Sequence, residues 1–244
     1  MTADVRTDDL EFDCAGDRLR AYAAWPHEDG PFPAVILIHD VRGLYEHYRE
    51  VARRLAGEGF FVLAPDLYSR EGAPELPDMA ALFRWMRALP DRRVLDDIAA
   101  AARYLGERPD VLADAIGITG FCMGGQYALM AACTVRQLAA CVSWYGMLRY
   151  QETSAAKPAS PLDLAPGLGC PYLGLFGADD ALIPPADIDE LRAILTRAGK
   201  TFETKIYPGA GHAFFNDTRP DAFRPAAAAD GWARAVGFLR QHLR

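Results

Sequence analysis

Short unbroken apolar runs separated by helical patterns constrain this chain more than any other feature. Residues 34–39 (AVILIH), 60–64 (FFVLA) and 115–119 (AIGIT) do not alternate polar with apolar. Such runs fit strands covered on both faces. Further strands are predicted at 139–144, 172–176 and 202–207, and two short ones in 10–25 about a turn at Gly16 and Asp17. Helices are predicted at 47–57, near 78–89, and at 91–106, 123–134, 185–198 and 225–242. In the first of these, Val51 and Leu55 stand four apart, and Gly57 and Gly59 mark the stop. Strand alternating with helix implies an α/β chain with a mainly parallel, doubly wound sheet and helices on both faces. Its functional residues belong at the carboxyl ends of the strands. The 244 residues suit a single domain over 1–244. The Pro- and Ala-rich stretch 153–171 is the least regular and reads as a surface excursion beside the site.

Composition narrows the partners. Apolar residues make up 51% of the chain, charged residues 24%, and the net charge is −7. Without a basic run, neither nucleic acid nor an anionic membrane is an expected partner. The polar start MTADVRTDDL lacks an apolar core, and nothing approaches 18 uninterrupted apolar residues, so neither a signal peptide nor a membrane span is expected, and the cysteine usage points to a reducing compartment, most simply the cytoplasm. The five cysteines are odd in number and form no C-x-x-C, which indicates neither a disulfide framework nor a zinc knuckle. Cys133 and Cys141 sit in apolar runs and read as small core residues.

The strongest chemical signal is Gly120-Phe121-Cys122-Met123-Gly124, which follows the strand AIGIT and opens a helix. A sharp strand-to-helix turn strains the nucleophile's backbone, and flanking glycines let neighbouring chain pass close by. The helix N-terminus offers unpaired N–H groups that favour a thiolate and an oxyanion, with Met123 N–H as one donor. A second signal is His212, on the Gly-rich loop Gly209-Ala210-Gly211 after a strand. Of the other histidines, His39 ends an apolar strand, whereas His27, His47 and His242 read as solvent-facing. A third is Asp179-Asp180, again at a strand end, where either acid could orient His212. The order nucleophile, acid, base is that of α/β-hydrolases. The fourth is His39-Asp40-Val41-Arg42-Gly43, a loop suited to supply the second oxyanion N–H from Val41.

These motifs together identify a likeness. With HDVRG at 39–43, APDLY at 64–68, GFCMGG at 120–125, GADDALIP at 177–184 and YPGAGHAF at 207–214, the chain resembles the dienelactone hydrolase family over nearly its whole length. The resemblance implies the α/β-hydrolase fold and a Cys-His-Asp triad on Cys122, His212 and Asp180. Asp180 is favoured over Asp179 because the family's acid stands four residues before a proline, here Pro184. The family has glutamate where this chain has Asp40, which implies that Asp40 tunes the thiol with a shorter reach. The family's arginines for a substrate carboxylate fall here on Asn216 and Met79. Arg42, Arg84 and Arg87 remain as other cations, and Phe83, Trp85 and Met86 offer an apolar wall. Arg42, Phe83 and Asn216 are thus the expected pocket residues.

The reaction implied is two-step acyl transfer on a small ester or lactone through a thioester, with no metal and no organic cofactor. The partner is a small-molecule substrate, and the chain is expected as a monomer or small homo-oligomer. Three rivals stand beside it: a general carboxylesterase or thioesterase of the same fold, a non-catalytic binding protein of that fold, and a redox thiol protein using Cys122. Neutral, moderately apolar esters or lactones are expected to be preferred over dienelactone.

Overall fold

The computed structural model describes residues 4–244. Its strands are β1 (Val5–Cys14), β2 (Asp17–Pro26), β3 (Phe32–Ile38), β4 (Phe61–Pro65), β5 (Val111–Phe121), β6 (Leu138–Trp144), β7 (Tyr172–Gly177) and β8 (Phe202–Tyr207). The helices are α1 (Glu46–Gly57), α2 (Met79–Ala88), α3 (Asp91–Gly106), α4 (Met123–Thr134), α5 (Pro161–Leu164), α6 (Pro185–Arg197) and α7 (Pro225–His242). All eight strands form one sheet in the order β1-β2-β4-β3-β5-β6-β7-β8. β1 and β2 make an antiparallel hairpin, β2 pairs antiparallel with β4, and β3 to β8 run parallel.

The apolar runs occupy the centre of this sheet. Every residue of β4, and Ala34–Ile38 of β3, is buried. β3 continues through α1 to β4 on one side, whereas β5 continues through α4 to β6 on the other. The adjacent carboxyl ends of β3 and β5 therefore form the crevice at which such sheets gather function. α4 is apolar all round and buried from Met123 to Ala132, as a helix in the middle of a core must be.

Several expectations change. β1 begins at Val5 and β5 at Val111, earlier than the apolar runs alone placed them. The stretch 153–171 is more than a surface excursion. Within it Ser160 and Asp163 form a capping box with Pro161 at the first turn of α5, and Lys157 is buried. The expectation that His47 faces solvent is wrong. It shares a face of α1 with Tyr48, Val51 and Leu55, and is 5% exposed. Its Nδ1 donates to Asp217 at 3.1 Å, which fixes it inward against the loop after β8. His27 is exposed, as expected. Among the described residues, no helix is long and apolar enough to cross a membrane.

Candidate active site

The turn between β5 and α4 holds Cys122 with φ 56° and ψ −117°. A non-glycine residue at positive φ is strained and persists only where its surroundings over-determine it. Here the surroundings are backbone. A Cβ at Gly120 would lie 2.1 Å from the Gly124 carbonyl oxygen, and one at Gly124 would lie 2.3 Å from the oxygen of Ile38. The glycines let β3, β5 and α4 meet at contact distance, and the turn has no room to relax. The Cys122 N–H donates to Trp144 O at 3.0 Å, and its carbonyl accepts from Gln126 N–H at 3.1 Å. Met123 opens α4, so its N–H has no partner within the helix.

The loop after β3 is set by His39, which is fully buried. Its Nε2 accepts from Leu67 N–H at 3.2 Å, so Nδ1 carries the ring proton and meets Asp40 O at 2.6 Å. Burial lowers the His39 pKa against the pull of Asp40, so the ring stays neutral. The Asp40 carbonyl also accepts from Gly43 N–H at 3.1 Å. That peptide is therefore held by its oxygen, and its N–H, which belongs to Val41, points the opposite way because the peptide is planar and trans. The Val41 carbonyl in turn accepts from Tyr68 Oη at 3.0 Å. The sequence offered His39 as a strand-end histidine. Its task of orienting the loop could be found only from these contacts.

His212 follows β8, and Asp180 follows β7. His212 Nδ1 lies 2.7 Å from Asp180 Oδ2. A carboxylate only accepts, so this nitrogen carries the proton. The Asp180 side chain is fully buried, and Oδ1 accepts from Leu182 N–H at 2.9 Å. Asp179 is exposed and takes no part. Burial alone would lower the His212 pKa. The Cys122 charge and hydrogen bonding from Asp180 and Cys122 outweigh it and hold the ring's proton up to about 10. Nε2 makes no hydrogen bond of good geometry, yet the sulfur lies close enough to act on the ring as a charge and as a looser hydrogen-bonding group. The structure thus brings Cys122, His212 and Asp180 together from three strand ends.

Asp40 is 5% exposed. Its Oδ1 accepts from Arg42 N–H at 2.8 Å, and its Oδ2 accepts from Tyr45 Oη at 3.3 Å. Asn216 donates from Nδ2 to the same Tyr45 oxygen at 2.8 Å, while its Oδ1 accepts from the N–H and hydroxyl of Thr218. Asn216 is thus buried and braces the Asp40 side chain through Tyr45. The Arg42 guanidinium lies 3.9 Å from Asp40 and is half exposed.

A cleft of about 500 Å³ opens one helical turn from Cys122, at Gln126, and beside Asp180, at Ala181 and Leu182. Phe83, Met86 and Met147 give it an apolar wall, and Arg87, Arg149 and Lys157 also line it. Phe83, an expected pocket residue, lines this cleft. Arg42 and Asn216 lie outside this wall, and Met79 sits exposed at the start of α2. Arg149 is paired with Asp187 and Glu190, and Lys157 with Asp91. Arg87 has no ion pair among the described residues. Sequence reasoning missed the group beneath the cleft. Lys157 Nζ lies 2.6 Å from both Asp91 Oδ1 and Tyr127 Oη, and Tyr150 Oη donates to Asp91 at 3.0 Å. A lone lysine in a Pro- and Ala-rich stretch carries no signal of burial. Among the described residues no cluster of three His, Cys, Asp or Glu side chains is suited to a metal ion.

Comparison with known proteins agrees with this architecture. Residues 19–243 match the dienelactone hydrolase family. A protein of Escherichia coli strain K12 named "Putative carboxymethylenebutenolidase" is 40% identical over 230 residues, covering 93% of this chain and 84% of that one. A Bradyrhizobium protein named "Probable 2-oxo-3-(5-oxofuran-2-ylidene)propanoate lactonase" is 38% identical over 242 residues, 99% of this chain and 97% of that one. A crystal structure from Klebsiella pneumoniae subsp. pneumoniae, described as a "Putative Dienelactone Hydrolase", superposes with a TM-score of 0.92. It has 38% identity and covers 98% of this chain and 99% of that one. With the α/β-hydrolase fold in place and the match spanning nearly its full length, the chain belongs to the dienelactone hydrolase family.

Proposed function

We propose that the protein is a cysteine-dependent hydrolase of small esters or lactones. Cys122 is the nucleophile, His212 the base and acid, and Asp180 the residue that orients the ring. The observation that carries this reading is the buried His212–Asp180 hydrogen bond beside a cysteine at a strained strand-to-helix turn. The Cys122 thiolate attacks the acyl carbon, and the N–H groups of Val41 and Met123 hold the oxyanion. His212 protonates the departing alkoxide. It then takes a proton from water, which attacks the thioester and frees Cys122 as the thiolate. One continuous sheet supports reading the chain as one domain.

The cleft supports two classes of substrate. Its apolar wall of Phe83, Met86, Met147 and Leu182 favours neutral, moderately apolar esters or lactones. Arg87, which has no ion pair among the described residues, favours instead a lactone that carries a carboxylate, and the names of the relatives from E. coli and Bradyrhizobium denote such lactones. The first class is our reading, because the family's two arginine positions hold Asn216 and Met79.

The test is hydrolysis of p-nitrophenyl esters and lactones before and after brief iodoacetamide treatment near pH 8, with peptide mapping. Burial pushes the other thiols up: Cys14 to about 11, Cys133 and Cys170 to about 12, and Cys141 well above the usual thiol range. Cys122 should therefore be labelled first, with activity lost in step. Labelling of another cysteine with activity lost, or of Cys122 with activity kept, would refute the assignment. Turnover by neither ester nor lactone would favour a binding protein.

A further inference from the structure

Among the described residues, three buried polar atoms near Cys122 have no hydrogen-bond partner: His212 Nε2, Tyr145 Oη and, one turn along α4 at the cleft, Gln126 Oε1. The first belongs to the triad reading, whereas the second has no task in it. Tyr145 directly follows β6. Its neighbour Trp144 accepts the Cys122 N–H at 3.0 Å, and its own N–H donates to Leu175 O at 2.8 Å. The residue is therefore tied to the nucleophile's turn on one side and to β7 on the other. It sits there at φ 39°, a strained value for a bulky side chain.

The Tyr145 ring fills the space beside the site. It meets His212 edge to face at 5.3 Å between centroids and Phe214 in the same way at 5.3 Å. Phe121 lies on a further side at 6.2 Å. Tyr145 is 1% exposed, so bulk water does not satisfy its hydroxyl, and a buried hydroxyl without a partner destabilises the fold. A partner must come from inside.

The groups that act on this hydroxyl are Cys122, Asp40 and Tyr45, with Arg219 from the loop after β8 opposing them. Tyr48 of α1 and His212 also adjoin it. Most of these are already engaged. Asp40 accepts from Arg42 and Tyr45, the Tyr45 hydroxyl accepts from Asn216, and His212 Nδ1 is on Asp180. The His212 ring is charged below about pH 10, so its Nε2 donates rather than accepts, and Tyr48 offers only a neutral hydroxyl; among these groups the Cys122 sulfur is the unengaged acceptor that can carry a full charge. A thiol accepts weakly, but a thiolate accepts strongly.

We propose that the Tyr145 hydroxyl donates a hydrogen bond to the Cys122 sulfur when it is a thiolate, so that Tyr145 holds the nucleophile together with His212. The inference rests on the reading of Cys122 as the nucleophile. The phenol keeps its proton throughout, because burial and then the negative charges of Cys122 and Asp40 hold it well above the usual phenol value. No bond forms or breaks at Tyr145. The hydrogen bond strengthens when the sulfur ionises and weakens when the acyl group takes up its charge. Tyr145 thereby favours the thiolate and makes it a better leaving group from the tetrahedral intermediate.

The test is the rate of Cys122 alkylation by iodoacetamide against pH, for wild type, Tyr145→Phe, and protein with 3-fluorotyrosine at position 145. Phenylalanine keeps the ring and removes a hydroxyl that has no partner, so the melting temperature should not fall. The alkylation midpoint should rise by about 1–2 pH units, the size of one charge-assisted hydrogen bond. The more acidic fluorophenol donates better and should lower the midpoint. A purely packing role would move neither. An unchanged midpoint in folded Tyr145→Phe overturns the inference. Should that variant not fold, an unchanged midpoint in the fluorinated protein overturns it. If Cys122 resists labelling, or is labelled with hydrolysis intact, the nucleophile reading itself has failed and the inference falls with it.

Discussion

Replacing Asp180 by asparagine gives the sharpest test of the proposed base. The wild-type carboxylate is fully buried and lies 2.7 Å from His212 Nδ1. An ion pair near a protein surface is worth about 4 kcal/mol at 4 Å separation, and a hydrogen bond to a charged group about 1.5–3 kcal/mol. Asparagine keeps the shape, loses the charge, and can turn its NH₂ toward the ring. That would favour the tautomer with the proton on Nε2, the wrong nitrogen to receive one. A loss of about 2–4 kcal/mol in transition-state stabilisation is roughly 30- to 1,000-fold in kcat/KM. Asp179→Asn, at an exposed site one residue away, should change kcat/KM less than about twofold. The pH dependence has a definite sign. The wild-type His212 ring is charged below about pH 10 and neutral above it, so its NMR titration midpoint should fall in Asp180→Asn, where one upward influence is removed. Melting curves of both variants establish that the fold is kept. If Asp180→Asn retains more than a third of wild-type kcat/KM, or Asp179→Asn is the more damaging, then the acid is misassigned and the 2.7 Å contact is merely structural.

Three further outcomes are expected. Lys157→Met leaves Asp91 buried without its cation, which costs about 3–5 kcal/mol and should lower the melting temperature by roughly 6–20 °C for a chain of this size; a fall under about 3 °C in calorimetry would show that the pair does not anchor the cleft. Asp40→Asn keeps the turn that accepts Arg42 N–H but removes a negative charge that acts on the Tyr145 hydroxyl alongside that of Cys122, so the alkylation midpoint of Cys122 should move down, and an unchanged profile would reduce Asp40 to a brace for its loop. Steady-state kinetics should give a higher kcat/KM for an uncharged aryl ester than for dienelactone; if dienelactone is the better substrate and Arg87→Gln removes that advantage by roughly 10- to 150-fold, the carboxylate-bearing class is the right one.

The sequence by itself determined the succession of strands and helices, because each apolar run and each helical period is a local pattern that survives in the fold. β3, β4 and α4 fall within a residue or two of where those patterns put them. It also determined where the turn at Cys122 lies, since a strand, two flanking glycines and a helix occupy adjacent positions. Tertiary structure alone decided what surrounds that turn. Gly124 is required because the carbonyl of Ile38, 86 positions away in the chain, passes where a side chain would stand. Asp180 rather than Asp179 meets His212 because the loop after β7 buries one carboxylate and exposes the other. His47, Lys157, Asn216 and Tyr145 are polar residues that local sequence marks as surface or leaves unmarked. Each is buried by an element remote from it in the chain: His47 by the loop after β8, Lys157 by α3 and α4, Asn216 by Tyr45, and Tyr145 by the His212 loop. Periodicity reports which face of an element turns inward. The partner that waits there is fixed by the packing of elements distant in sequence, and the chemistry at Cys122 depends on those partners.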